Sequence, residues 1–135
     1  MKIPDRVQKA YRKAKLVIKN AYAPHSRFKV GACLVDTKGK LYTGCNVENS
    51  AFGSTICAER FAIGKAVSEG SRKFTDILIL VEESKASYPC GACRQVLGEF
   101  MKSNAKIWVA TQKEITDVKK MGDLLPNAYG PRRFK

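Results

Sequence analysis

Ile77-Leu78-Ile79-Leu80-Val81 is the longest uninterrupted apolar run in the chain. A run of that kind, with no polar alternation, predicts a central strand covered on both faces. It is far too short to cross a bilayer, which takes roughly 20 apolar residues. Downstream, Cys93, Val96, Leu97, Phe100 and Met101 recur at helical spacing after Pro89, and residues 107–110 form another buried strand. A helical crossover between buried strands predicts parallel pairing.

Upstream, Val7, Ala10, Tyr11, Ala14, Val17, Ile18 and Ala21 mark an amphipathic helix that starts at Pro4-Asp5 and ends by Tyr22-Ala23-Pro24-His25-Ser26. Residues 28–35 and 40–47 read as a hairpin around the turn Asp36-Thr37-Lys38-Gly39. A loop over 48–56 delivers Cys57 to a second helix, with Ala58, Phe61, Ala62 and Ala66 on its inner face and Gly70 as its stop. The pattern weakens after Gln112, where Asp123-Leu124-Leu125-Pro126 marks a short helical turn. No repeat or linker interrupts the chain, so residues 1–135 read as a single domain. The order helix, hairpin, helix, strand, helix, strand predicts an α/β sandwich.

Of the 135 residues, 44% are hydrophobic, enough for an ordinary globular core. Met1-Lys2-Ile3-Pro4 is followed by charged residues rather than an apolar leader, so a soluble, cytoplasmic protein is expected. Five cysteines is an odd number, which fits reduced thiols and metal binding better than a secreted disulfide scaffold. The net charge is +13, but its lysines and arginines are spread along the chain, the short tail Pro131-Arg132-Arg133-Phe134-Lys135 apart. A solubilising surface is therefore expected, with neither nucleic acid nor membrane as partner.

The chemistry lies in Cys57-Ala58-Glu59 and Pro89-Cys90-Gly91-Ala92-Cys93. Cys57, Cys90 and Cys93 supply three thiolates for Zn²⁺, one ion per chain, and leave the fourth tetrahedral position open, as in catalytic zinc sites. A ligand-x-Glu segment paired with P-C-x-x-C is the signature of zinc deaminases. Both segments open predicted helices, whose N-termini favour thiolates. Glu59 is then the proton carrier. Two residues apart on a regular helix would face opposite ways, so Cys57 must occupy an irregular first turn. Arg60, three residues after Cys57, and Gln95, two after Cys93, are expected to donate to the sulfurs. Cys33 and Cys45 read as buried, inert thiols. Two other readings stay open on residues alone. Cys90 and Cys93 could form a redox dithiol, and a structural zinc site would draw a fourth ligand from His25, Cys33 or Cys45.

Several further stretches stand in the same order as in the small, homotetrameric, three-cysteine cytidine deaminases, and the chain resembles that family over nearly its whole length. They are Phe28-Lys29-Val30-Gly31-Ala32, Thr43-Gly44-Cys45-Asn46-Val47-Glu48-Asn49, Ile56-Cys57-Ala58-Glu59-Arg60 and Pro89-Cys90-Gly91-Ala92-Cys93-Arg94-Gln95-Val96-Leu97. The resemblance implies a three-layer α/β/α sandwich with a mixed five-stranded sheet. It also implies zinc-dependent hydrolytic deamination of cytidine and deoxycytidine, with release of ammonia, in pyrimidine salvage. Phe28 would pack against the base, Asn46 and Glu48 would bind the ribose hydroxyls, and the Ala58 N–H would serve the pyrimidine carbonyl. Tyr129 stands where the family usually has a phenylalanine lent by a neighbouring subunit of the tetramer. The rival functions are deamination of a cytosine-nucleoside antibiotic such as blasticidin S, deamination of a polynucleotide, and zinc binding without catalysis.

Overall fold

Apolar spacing and a few local breakers decide where each element begins and which face it buries. The computed structural model describes residues 1–130, so the basic tail over 131–135 lies outside the described residues. Helix α1 (Asp5–Val17) runs through a single 3-10 turn into an irregular segment. Strands β1 (Val30–Asp36) and β2 (Leu41–Cys45) form the hairpin. Helix α2 (Ala58–Ser68) leads to β3 (Phe74–Val81), and α3 (Gly91–Phe100) to β4 (Met101–Ala110). Strand β5 (Ile115–Lys120) and the single turn α4 (Met121–Leu124) follow.

The five strands form one mixed sheet in the order β2-β1-β3-β4-β5. β3 and β4 are parallel, as the α3 crossover requires, with Ile77 opposite Ile107 and Leu78 opposite Trp108. The other three pairings are antiparallel. Since β1 is antiparallel to both β2 and β3, helix α2 also joins two strands of the same direction, with β1 between them. Alternation along β3 divides the core. Ile77 and Ile79 pack with Ala62 and Ala66 of α2 and Leu97 of α3, whereas Leu78 and Leu80 pack with Val7, Ala10 and Ala14 of α1. The result is the three-layer α/β/α sandwich expected from the resemblance.

Some boundaries move, for local reasons. The hairpin strands are shorter than 28–35 and 40–47 because the Asn46 side chain takes over backbone partners. Its Oδ1 accepts the Val30 N–H (2.9 Å), and its Nδ2 donates to the Phe28 carbonyl (2.8 Å). Helix α1 gives way to a 3-10 turn, closed by Ala21 N–H to the Ile18 carbonyl (3.1 Å), just ahead of Ala23-Pro24. In α2 the buried face is Ala58, Glu59, Ala62, Ile63 and Ala66, and it leaves Phe61 39% exposed at the edge rather than inside.

Two glycines set the helix-to-sheet distances. A Cβ at Gly31 would lie 2.9 Å from the Ala14 carbonyl oxygen of α1. At Gly44 it would lie 2.5 Å from the Ala58 oxygen and 2.6 Å from the Ala62 nitrogen, so the first turn of α2 rests directly on β2. Gly44→Ala must therefore push α2 off the sheet at the end that carries Cys57. We expect it to lose about 1–3 kcal/mol of stability in denaturant melts. Gly53→Ala, whose methyl meets nothing within 4 Å, serves as the control. Equal stability of the two variants would contradict this packing.

Candidate metal centre and substrate pocket

Cys57 and Cys90 are the N-cap residues of α2 and α3, and Cys93 lies in the first turn of α3. Cys57 has extended backbone angles (φ −70°, ψ 152°), as does Cys90 (φ −66°, ψ 170°). The helical rotation of side chains therefore begins only after Cys57, which lets Glu59 share its neighbourhood. The three sulfur atoms lie within 4.8 Å of one another, and no other such group of metal-binding side chains occurs among the described residues. Three sulfurs bound to one zinc at about 2.3 Å would stand roughly 3.8 Å apart, so the cluster closes on an ion with little movement. His25, Cys33 and Cys45 do not join it.

The electrostatics favour a cation here. The hydrogen bond from Cys93 and the Arg60 guanidinium pull the Cys57 thiol down to about 5, against the effect of burial. Cys93 is driven upward by that same hydrogen bond and by burial. Cys57 and Cys93 are thus pushed in opposite directions by one shared hydrogen bond, a conflict that a thiophilic divalent ion removes. Arg60 Nη2 lies 3.6 Å from the Cys57 sulfur and donates to the Thr55 carbonyl at 2.9 Å. Its Nε is the one buried polar side-chain atom without a hydrogen-bond partner among the described residues. A guanidinium held this way withdraws electron density from sulfur.

Glu59 is 6% exposed. Burial, reinforced by the charge on Cys57, pushes its carboxyl up to about 7. It forms one wall of a pocket of about 260 Å³, together with the three cysteines and Ala58. Phe28, Asn46 and Glu48 line the same pocket. As the first residue of α2, Ala58 has an N–H with no acceptor inside its own helix.

Residues 4–110 match the family model described as the cytidine and deoxycytidylate deaminase zinc-binding region. The chain belongs to this family. A cytidine deaminase of Sporosarcina psychrophila is 40% identical over 123 residues, which is 91% of this chain and 90% of the relative. Another, from Halalkalibacterium halodurans, is 41% identical over 110 residues, 81% of this chain and 83% of the relative. The crystal structure of cytidine deaminase from Burkholderia pseudomallei matches with a TM-score of 0.86 at 41% identity, covering 90% of this chain and 98% of that one. Cys57, Cys90 and Cys93 are the residues that could hold the zinc of this deaminase family.

Measured against that family, two pocket residues already hold part of the scaffold. Asn46 ties β1 to β2, as described above, and keeps one amide hydrogen and one lone pair for a ligand. The Glu48 carboxylate accepts the N–H groups of His25 (2.9 Å) and Ser26 (3.0 Å) and a short bond from the Ser26 hydroxyl. Those donors, led by the hydroxyl, hold its carboxyl below the usual range. Tyr129 is 88% exposed and does not line the pocket of its own chain.

Gln95 is a correction. Two residues after Cys93 is about 200° around a helix, so Gln95 turns away from the sulfurs. It is exposed, and its Nε2 donates to the Tyr129 carbonyl (3.0 Å), which anchors the C-terminal segment instead. Cys33 is buried, and burial pushes its thiol up to about 12. Cys45 is only half-buried.

Sequence reasoning missed Ser26, Thr55, Ser87 and Tyr88, which all line the pocket. Their signal was adjacency alone: Thr55 precedes Cys57 by two residues and Tyr88 precedes Cys90 by two. Tyr88 is further tied to the edge strand by a short hydrogen bond to the Asp117 carboxylate.

Elemental analysis of the purified protein should give about one zinc per chain, falling well below half in Cys90→Ser and Cys93→Ser and unchanged in Cys33→Ala. Full zinc in Cys93→Ser would contradict the ligand set.

Proposed function

We propose that the chain, acting as one domain, catalyses hydrolysis of cytidine and deoxycytidine to uridine and deoxyuridine, with one ammonia released for each water consumed. The observation that carries this reading is the buried Glu59 carboxyl beside three clustered thiols, in a pocket of about 260 Å³. That volume is near the lower end of small-molecule sites. It suits a free nucleoside, whereas a polynucleotide needs an open groove and an extruded base. The cytidine deaminases similar to this chain point the same way.

Zinc, when bound, supplies the Lewis acid that activates water at neutral pH. The chain's own residues do the rest. Glu59 takes a proton from the attacking water, delivers it to ring N3 so that C4 becomes electrophilic, and later protonates the departing amine. A carboxyl whose affinity for protons is raised by burial suits both directions of transfer. The Ala58 N–H binds the pyrimidine carbonyl oxygen at the positive end of α2. Phe28 gives its ring face to the base. The free valences of Asn46 and Glu48 take the sugar hydroxyls, while their scaffold bonds keep them in place. Arg60 moderates the charge of the thiolate cluster.

We place the enzyme in the cytoplasm, in pyrimidine salvage, as a homotetramer with Tyr129 completing a neighbour's pocket. Phe52 at 74% and Tyr129 at 88% exposure, with Ile56 and Phe61 also exposed, offer apolar surface for that association. No helix among the described residues is long and apolar enough to cross a membrane.

Following the ultraviolet change of cytidine into uridine, Glu59→Gln should retain zinc and lose about 10²–10⁴-fold or more in kcat. Normal turnover would remove Glu59 from proton transfer. The wild-type protein should prefer cytidine to both blasticidin S and a cytosine oligonucleotide, and the opposite ranking would overturn the substrate assignment. On a sizing column it should elute at four times the chain mass. Tyr129→Ala should raise KM more than it lowers kcat, and an unchanged KM would remove Tyr129 from the pocket.

A further inference from the structure

Basic side chains that are scattered in sequence meet at the end of the sheet opposite the thiols. A cavity of about 630 Å³ is lined by Arg6 from α1, Arg72 and Lys73 from the segment before β3, and Lys102 and Lys106 from β4. Phe74 and Phe100, in edge-to-face contact at 6.4 Å between centroids, contribute apolar wall. No aspartate or glutamate is among the lining residues. Arg72, Lys73, Lys102 and Lys106 form no ion pair among the described residues. A neighbouring hollow shares Thr37, Arg72 and Lys73 with this cavity, but Asp36 and Glu69 also line it and Glu69 pairs with Lys40 (3.5 Å), so the unpaired cations gather in the larger cavity.

This is not the solvated face of one helix. The cations come from three separate parts of the chain and converge on a concave surface with aromatic walls, where like charges raise the local positive potential. Thr75 lines this cavity and Val81 lines the thiol pocket, so the two sites are separated by about 20 Å of β3. The volume lies within the roughly 300–1,000 Å³ range of small-ligand sites. We propose that the cavity binds a nucleotide-class anion, with lysine and arginine on its phosphates and the Phe74–Phe100 wall against its apolar body.

The site carries its own reporter. Arg6 Nε donates to the Asp76 carboxylate (2.7 Å), and the other oxygen of Asp76 accepts Trp108 Nε1–H (2.9 Å). Trp108 is the sole tryptophan. A phosphate bound beside Arg6 therefore changes the field at the indole through the Arg6–Asp76–Trp108 chain.

The test uses the zinc-loaded full chain, titrated with ADP, pyrophosphate and adenosine in the presence of saturating uridine, the proposed product, which occupies the thiol pocket without turning over. Binding is read by calorimetry and by tryptophan emission. ADP should bind one per chain and shift the emission, pyrophosphate should bind more weakly, and adenosine should give no signal. Raising salt should weaken ADP binding. The double variant Lys73→Gln/Lys102→Gln should lose about tenfold or more in ADP affinity, with its melting temperature and cytidine kcat unchanged. No ADP binding at millimolar concentration would overturn the proposal, as would unaltered affinity in the double variant. Pyrophosphate binding as tightly as ADP would remove the aromatic wall from the site. Displacement of ADP by uridine would place it in the thiol pocket, and tighter binding of a short oligonucleotide through the same lysines would make the face a polymer track. Either result contradicts a nucleotide cavity.

Discussion

Two helix N-termini opening at one point of the sheet are the constraint on which the rest of this structure depends. Cys57 and Cys90 both occupy N-cap positions with extended backbone, so each thiol projects from a helix end rather than from a helix side. The free N–H groups of the first turns then surround the sulfurs with positive potential. A cluster of three thiolates around a divalent ion carries net negative charge, and these helix ends with Arg60 offset it. The same geometry delivers Glu59 and the Ala58 N–H to the pocket, because both lie in the turn that Cys57 caps. One turn of helix thus brings together a thiol, a buried carboxyl and a free N–H, the three groups that the proposed reaction uses.

The sheet exists to hold that turn in place. Helix α2 can start where it does because Gly44 has no side chain to keep it off β2. Helix α3 starts beside it because it crosses between two parallel central strands whose buried faces admit no slippage: a register shift of one residue would exchange Ile77 and Ile79 with Leu78 and Leu80 between the two core layers. At the far end of the same strands, buried Asp76 accepts from Arg6, Thr75 and Trp108 and so ties α1, β3 and β4 together. Chemistry sits at one end of the sheet, and the buried carboxylate that fastens the layers sits at the other.

Much of this was legible before any coordinates. The run from Ile77 to Val81, the spacing of α1 and the punctuation by Gly39, Gly70 and Pro89 locate most elements, since burial on two faces and positive-φ turns leave strong marks. Strand β5 left almost none. It is an edge strand with Ile115 as its one buried residue, and its membership in the sheet came from the family resemblance. The cluster of three thiols was readable because metal coordination demands particular side chains at particular spacings. Gln95 stands close to Cys93 in sequence but not in space, because helical rotation carries its side chain to the Tyr129 carbonyl. Ser87 and Tyr88 were missed because a residue that only walls a pocket needs no special type. The basic cavity was invisible for a related reason: its lysines and arginines are neighbours only after folding.

The central claim is a zinc ion held by three sulfurs with one position left for a light atom. X-ray absorption at the zinc edge of the purified protein tests it most directly. Three sulfurs at about 2.3 Å and one oxygen or nitrogen donor near 2.0 Å are predicted. A fit requiring four sulfurs, or fewer than three, would contradict the account.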